Sequence, residues 1–160
     1  MRIWLINELL LWLIVANGTP VLLALIAGSY GNRPLDGGKL FLDRRPLFGS
    51  SKTIRGIAAA IAASTLVAPL VNHDHATGAI FGTLAMCGDL LSSFIKRRLG
   101  LGSGSSFPLL DQLPETVLPL AVLQPVLGAT SAEMAVTVAA FTLIDLLASR
   151  VLRRDQPARR

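Results

Sequence analysis

The residues best equipped for chemistry lie in one stretch, Gly88 to Gln112 (GDLLSSFIKRRLGLGSGSSFPLLDQ). It opens on an acid, Asp89, inside an apolar segment. A basic cluster follows at Lys96, Arg97 and Arg98, then the loop GLGSGSS over residues 100–106, then a second acid, Asp111. Asp89 precedes Lys96 by seven positions, so on a helix the two stand about 10 Å apart along the axis. Ser92, Ser93 and Lys96 fall three, four and seven positions after Asp89 and share its face. A carboxylate, two hydroxyls and an ammonium on one stripe suit a metal ion held together with phosphates. Glycines let the following loop bring its backbone close to an anion. Magnesium takes one or two carboxylates and completes its shell with water and phosphate oxygens, so Asp89 and Asp111 make a sensible pair. The plainer alternatives are an interhelical salt bridge for Asp89, a flexible linker for the loop and a helix N-cap for Asp111.

A second stretch carries complementary chemistry. Gly31 to Gly56 (GNRPLDGGKLFLDRRPLFGSSKTIRG) is basic, has paired glycines after Asp36, and ends in Lys52, Thr53 and Arg55 at the start of a helical pattern. Cations and free N–H groups at a helix start bind phosphate. GSSKT resembles a P-loop only superficially. Ser51 stands where that motif needs glycine and no strand precedes it, so a P-loop NTPase is excluded. Other polar residues carry less. Asn17 and Thr19 read as interhelical hydrogen bonders, Asp145 as a member of an ion pair, and His73, Asp74 and His75 as a turn rather than a metal site. Cys87, the only cysteine, permits no intrachain disulfide and no cysteine metal cluster.

The elements that must position these residues are apolar. The 160 residues are 52% hydrophobic, with mean hydropathy +0.58. Formal net charge is +5, and the charge sits between long apolar runs. That favours a membrane protein with basic loops over a nucleic-acid binder. The N-terminal run continues past Ala16–Gly18 into PVLLALIAG, too long for a signal-peptide core. The expected fold is all-α, one polytopic domain over residues 1–160 with about five transmembrane helices, near 4–28, 54–71, 76–95, 113–129 and 132–152. Pro20 should kink the first. Pro114, Pro119 and Pro125 should make the fourth irregular. All but Arg2 of the 15 Lys and Arg residues fall in the two basic loops and their flanks or in the tail, which holds Arg150, Arg153, Arg154, Arg159 and Arg160. The positive-inside rule then puts the N-terminus outside, the C-terminus in the cytoplasm and the chemistry at the cytoplasmic face.

Gly88, Asp89, Leu90, Ser93, Lys96 and Arg97 (GDLxxSxxKR) resemble the signature of CDP-diacylglycerol synthases, the membrane cytidylyltransferases. The chain is still more similar to the shorter CDP-archaeol synthase branch. It shares with that branch Asn17, Gly18 and Pro20, then Pro34, Asp36, Gly38, Phe48, Gly49, Lys52, Thr53, Arg55 and Gly56, then Ser93, Phe94, Lys96, Arg97, Pro108, Asp111 and Gln112. The resemblance covers roughly residues 16 to 116. It departs at Pro114, where the branch has an acid and where Glu115 is the candidate substitute, and at Ser51, where an acid is frequent.

The resemblance implies transfer of CMP from CTP to a lipid phosphate, of either the isoprenoid-ether or the phosphatidate type, in phospholipid biosynthesis. It also implies Mg²⁺ on Asp89 and Asp111, with Lys96 joining them as the catalytic set. Lys52, Arg55, Lys96 and Arg97 would hold phosphates, with hydroxyl contacts from Thr53 and Ser93. Asp36 and Gln112 would complete the CTP site. The expected partners are CTP, the acceptor lipid and the cell membrane, without nucleic acid, and a homodimer is left open. The rival expectation is a non-catalytic membrane protein whose basic loops bind anionic lipid. The two separate on whether Asp89, Asp111, Lys52 and Lys96 converge on one cavity.

Overall fold

The structure is a computed structural model that describes residues 1–154, with side chains through residue 150. The basic tail expected at Arg153, Arg154, Arg159 and Arg160 lies outside the described side chains. The elements are helices: α1 (Ile3–Ala27), α2 (Ile54–Val67) continued by a 3₁₀ turn (Ala68–Val71), α3 (His75–Arg98), α4 (Gln112–Val122), α5 (Gln124–Leu127) and α6 (Ser131–Arg154). Four of these are long and apolar enough to cross a membrane: Ile3–Ala27, Ile54–Val71, His75–Arg98 and Ser131–Arg150. The segment expected as the fourth span, 113–129, is instead broken. α4 has 11 residues, about 16 Å at 1.5 Å per residue, and Pro125 ends its continuity just beyond Leu123. Even so, α4 and α5 lead from one end of the bundle to the other. Gln112 bonds to Asp145 at one end, and the Gly128 carbonyl accepts from Arg2 at the other.

α1 packs by halves. Leu5, Leu9, Trp12, Leu13 and Ala16 recur on one face and are buried. Trp12 stacks between Phe81 (ring centroids 4.3 Å apart) and His73 (5.4 Å), and its indole N–H donates to the Ser64 carbonyl. Beyond Pro20 the helix runs on, but Val21, Leu22, Leu25 and Ile26 are all exposed. Asn17 and Thr19 do not bond across helices as expected. Each bonds back to the carbonyl four residues before it, on Leu13 and Val15. Their donors are met within their own turn, and Asn17 Oδ1 is left buried without a partner.

Small residues set the closest helix contacts. A Cβ on Gly78 would lie 2.7 Å from the Ser64 carbonyl, and one on Gly82 would lie 2.9 Å from the Ser64 side chain, so α2 and α3 meet almost backbone to backbone. A Cβ on Gly88 would lie 2.2 Å from the Pro114 carbonyl, so α4 rests directly on α3.

One end of the bundle is nearly bare. It holds the turns Asn72–Asp74 and Gly128–Thr130. Arg2 forks onto Glu133 there, with Nη2 to Oε2 at 2.7 Å, and ties the starts of α1 and α6 together. Asp74 caps α3 through the Thr77 N–H, and His75 bonds the Thr65 carbonyl. Both therefore serve the turn. The opposite end carries the long segments 28–53 and 99–111.

Candidate active site

The two long segments fold over the ends of α2, α3 and α6 and close a cavity of about 490 Å³. Asp89, Asp111, Lys52 and Lys96 all line it, as do Ser93, Arg97, Gln112 and Thr53. The convergence that separates the two expectations is therefore present.

α3 supplies the central wall, where Asp89, Ser93 and Lys96 of the expected stripe line the cavity, whereas Ser92 is buried and its hydroxyl donates back to the Asp89 carbonyl. Asp89 accepts from Lys52 Nζ at 2.5 and 2.7 Å, reaching from the basic loop across to α3. Two turns further along α3, Lys96 Nζ lies 2.6 Å from Asp111 Oδ1 and donates to the Ser105 carbonyl at 2.9 Å. Lys96 thus joins α3, the glycine–serine loop and the start of α4. Ser93 lies between these pairs, buried, with a hydroxyl that has no partner. Arg97 is only 3% exposed. Its Nη2 makes one long contact of 3.4 Å to Ser105 Oγ, and its Nε and Nη1 are buried without an acceptor. Leaving such donors unmet is costly, so this guanidinium is equipped to hold an anion.

Asp111 stands at the N-cap position of α4 but does not cap it. Its Oδ2 accepts from the Phe107 N–H at 2.8 Å, which turns the carboxylate toward Lys96. Oδ1 is buried with no aligned donor despite its nearness to Lys96. Gln112 accepts from Leu109 N–H and donates to Asp145 Oδ2 at 2.6 Å, fixing α4 to α6.

The loops are sewn to one another. Ser103 Oγ accepts from Ser51 N–H at 3.1 Å and contacts Ser50 Oγ at 3.3 Å. Gly49, at φ +95°, has no room for a side chain, because a Cβ would lie 2.8 Å from Ser103 Oγ and 3.0 Å from Arg97 Nη1. Asp36 lies off the cavity. It organises the basic loop, accepting N–H bonds from Gly38, Phe48 and Gly49, each at 2.9 Å. Burial alone would raise this carboxyl, but the N–H groups of Gly49, Phe48 and Gly38 together hold it below its usual range. Thr53 lines the cavity, yet its hydroxyl caps α2 through the Gly56 N–H. Arg55 is turned away. Its guanidinium donates to the Tyr30 and Gly28 carbonyls just past the end of α1. Those free carbonyls hold it, and Arg55, expected among the phosphate-binding residues, does not line the cavity.

Sequence reasoning undervalued two acids. Glu115 is buried on the cavity wall beside the Gly88 contact, and Asp145 reaches the cavity from α6. The available signal was an acid inside an apolar helix. Among the described residues no three of His, Cys, Asp and Glu form a ready-made metal cage. The wall suits instead a cation that arrives with oxygen ligands of its own. Asp89 and the unaligned Oδ1 of Asp111 offer two carboxylates, the number magnesium uses alongside phosphate and water.

Four long apolar helices around a charged cavity define a multi-pass, intramembrane helical protein. A solved structure of an intramembrane enzyme for archaeal membrane lipids biosynthesis superimposes with a TM-score of 0.71 at 37% identity, covering 89% of this chain and 90% of that one. The family model for CarS-like CDP-archaeol synthase matches residues 3–73 and 69–153. The CDP-archaeol synthase of Aeropyrum pernix is 40% identical over 152 residues, covering 89% of this chain and 82% of that protein. That of Hyperthermus butylicus is 45% identical over 106 residues, or 62% of this chain and 60% of that protein's length. The chain belongs to the CarS-like CDP-archaeol synthase family.

Proposed function

We propose that this protein transfers CMP from CTP to a lipid phosphate, forming a CDP-lipid and pyrophosphate in phospholipid biosynthesis. The acceptor in this reading is a 2,3-di-O-isoprenylglycerol phosphate, which the match to the CDP-archaeol synthase family supports over phosphatidate. A phosphate oxygen of the lipid attacks the α-phosphorus of CTP. The bond from that phosphorus to the oxygen bridging to the β-phosphate breaks, and pyrophosphate leaves with the bond's electrons. The observation that carries this reading is the convergence of Lys52, Lys96, Arg97, Asp89 and Asp111 on one cavity.

The protein's task is to neutralise a triphosphate and align the attack. Arg97 brings idle, buried donors to the phosphates, and Ser93 adds a free hydroxyl. Lys52 and Lys96 each hold a carboxylate and can turn from it to a phosphate. Asp89 and Asp111 would then hold Mg²⁺, which when bound offsets phosphate charge and orients the chain. Asp36 acts by holding the Gly49–Lys52 turn in shape. Gln112 acts by bracing α4 on α6.

The opposite wall is apolar: Pro20, Val21, Ala24 and Ile57 border the same cavity. Because α1 beyond Pro20 has no buried residue, this wall is where lipid chains can stay in the bilayer while the headgroup phosphate enters. The concentration of Lys and Arg at this end, taken with the positive-inside rule, supports a cavity that opens to the cytoplasm in one polytopic domain. The test is turnover by the purified protein with CTP, Mg²⁺ and either the isoprenoid-ether phosphate or phosphatidate. CDP-lipid from the ether acceptor is expected. No product from either lipid would overturn the reading, and product from phosphatidate alone would overturn the acceptor.

A further inference from the structure

The basic loop contains a small hairpin that the reaction does not use. Leu40 and Pro46 pair as an isolated antiparallel bridge, Phe41 N–H donates to the Arg45 carbonyl, and Leu47 N–H donates to the Lys39 carbonyl. The turn is completed by Arg44 at φ +60° and by the Asp43 carboxylate accepting from Arg45 N–H. At its tip Leu42 is 92% exposed and Leu40 is 61% exposed. Two large apolar side chains so bare on a well-bonded turn call for a covering phase.

The hairpin's place on the bundle identifies that phase. Phe41 meets the edge of Phe94 with ring centroids 5.3 Å apart. The Arg98 guanidinium lies 4.9 Å from the centre of the first ring and 4.8 Å from the second. Arg98 also pairs with Asp43 at 3.1 Å and donates to the Pro46 carbonyl at 2.6 Å. Phe94 lies one turn before the end of α3, so the hairpin stands beside the last turn of the helix rather than above it. Leu91, three residues earlier and close to the same face, is exposed on the outer surface of α3. Leu91, Phe94, Phe41 and Leu42 therefore continue the apolar outer surface of a membrane-crossing helix, and exposed Lys39 and Arg44 flank it.

We infer that the tip of this hairpin is inserted in the membrane interface, with Leu40 and Leu42 about 5–10 Å into the headgroup–acyl boundary. Lys39 and Arg44 lie at the level of anionic lipid phosphates. The hairpin is thus a lateral anchor that keeps the basic loop pressed to the bilayer. The inference rests on the membrane reading and not on the reaction.

The experiment places a nitroxide at Leu42→Cys in a Cys87→Ser background, with the full chain in vesicles containing anionic lipid. Cys87 is exposed and would otherwise be labelled too. A second label at Leu91→Cys gives the value for a lipid-facing site. Accessibility to oxygen is compared with accessibility to a water-soluble nickel chelate. The expected result is a ratio at position 42 shifted toward oxygen, approaching that at position 91. A ratio favouring nickel would put the tip in water and overturn the inference. Low accessibility to both reagents, with spin–spin broadening, would mean that a second copy covers the tip and would overturn it too. If the Leu42 label disturbs folding, Leu40→Cys reads the depth two residues earlier on the same strand.

Discussion

Lys52 Nζ lies 2.5 Å from one oxygen of Asp89 and 2.7 Å from the other, joining a loop lysine to an acid on α3. Each charge is compensated by the other before any ligand arrives. A nucleotide with its cation can replace both halves of the pair at once, whereas a bare nucleotide leaves Asp89 unpaired. Replacing Asp89 by Asn should abolish Mg²⁺-dependent CMP transfer, by roughly 10²-fold or more, while the protein still inserts and folds. Turnover and circular dichroism on one preparation check this. Full activity would remove Asp89 from the reaction.

Arg97 is the sharper test of the phosphate site. Arg97→Lys keeps the charge but loses the planar fork whose Nε and Nη1 stand idle. CTP affinity should fall about tenfold or more, the worth of one or two charge-assisted hydrogen bonds. Equilibrium binding with a non-hydrolysable CTP analogue measures it, and unchanged affinity would move the phosphates elsewhere. Arg55→Lys should leave affinity within about twofold, because Arg55 bonds the end of α1 and not the cavity.

Gly88→Ala should be among the more damaging small substitutions in α3. Its methyl group would lie 2.2 Å from the Pro114 carbonyl and 2.6 Å from Glu115 Cα. Both neighbours are backbone, so α4 must move away. A loss of about 1–3 kcal/mol is expected, as for overpacking elsewhere, read as a lowered Tm. Activity should fall with it, because Asp111 and Gln112 begin the displaced helix.

Asp36 makes the basic loop pH-sensitive. Its carboxyl is held below the usual value near ~3.9, so the folded loop favours the ionised form. The stabilisation is complete above the unfolded value and is lost as pH falls through the lower folded value. A ¹³C titration of the Asp36 carboxyl should show a midpoint below that of an exposed aspartate. A midpoint at or above it would contradict the three N–H bonds.

The Asp89–Ser93–Lys96 stripe was legible because helical spacing alone puts those residues on one face. The break of the fourth segment was legible in Pro125, whereas Pro114 and Pro119 lie within α4 without ending it. Thr53 and Arg55 were less legible, because a helix N-terminus and the free carbonyls at the end of another helix compete with a ligand for the same donors and acceptors. Asp111 read equally well as an N-cap, and only the folded loop, by offering the Phe107 N–H, turns it inward. Asp145 was hidden because its partner Gln112 lies 33 residues away in the chain. Long-range pairings of this kind leave no local periodicity.

The turns at Asn72–Asp74 and Gly128–Thr130 are short and occupied with capping and clasping the bundle. The cavity lined by Lys52, Lys96, Arg97, Asp89 and Asp111 is at the other end. For the proposed reaction, the acceptor enters from the leaflet on that side and the CDP-lipid returns to it, with no headgroup carried through the midplane. The protein would enrich one monolayer only, and restoring the balance between the two monolayers would fall to a separate lipid-translocating activity.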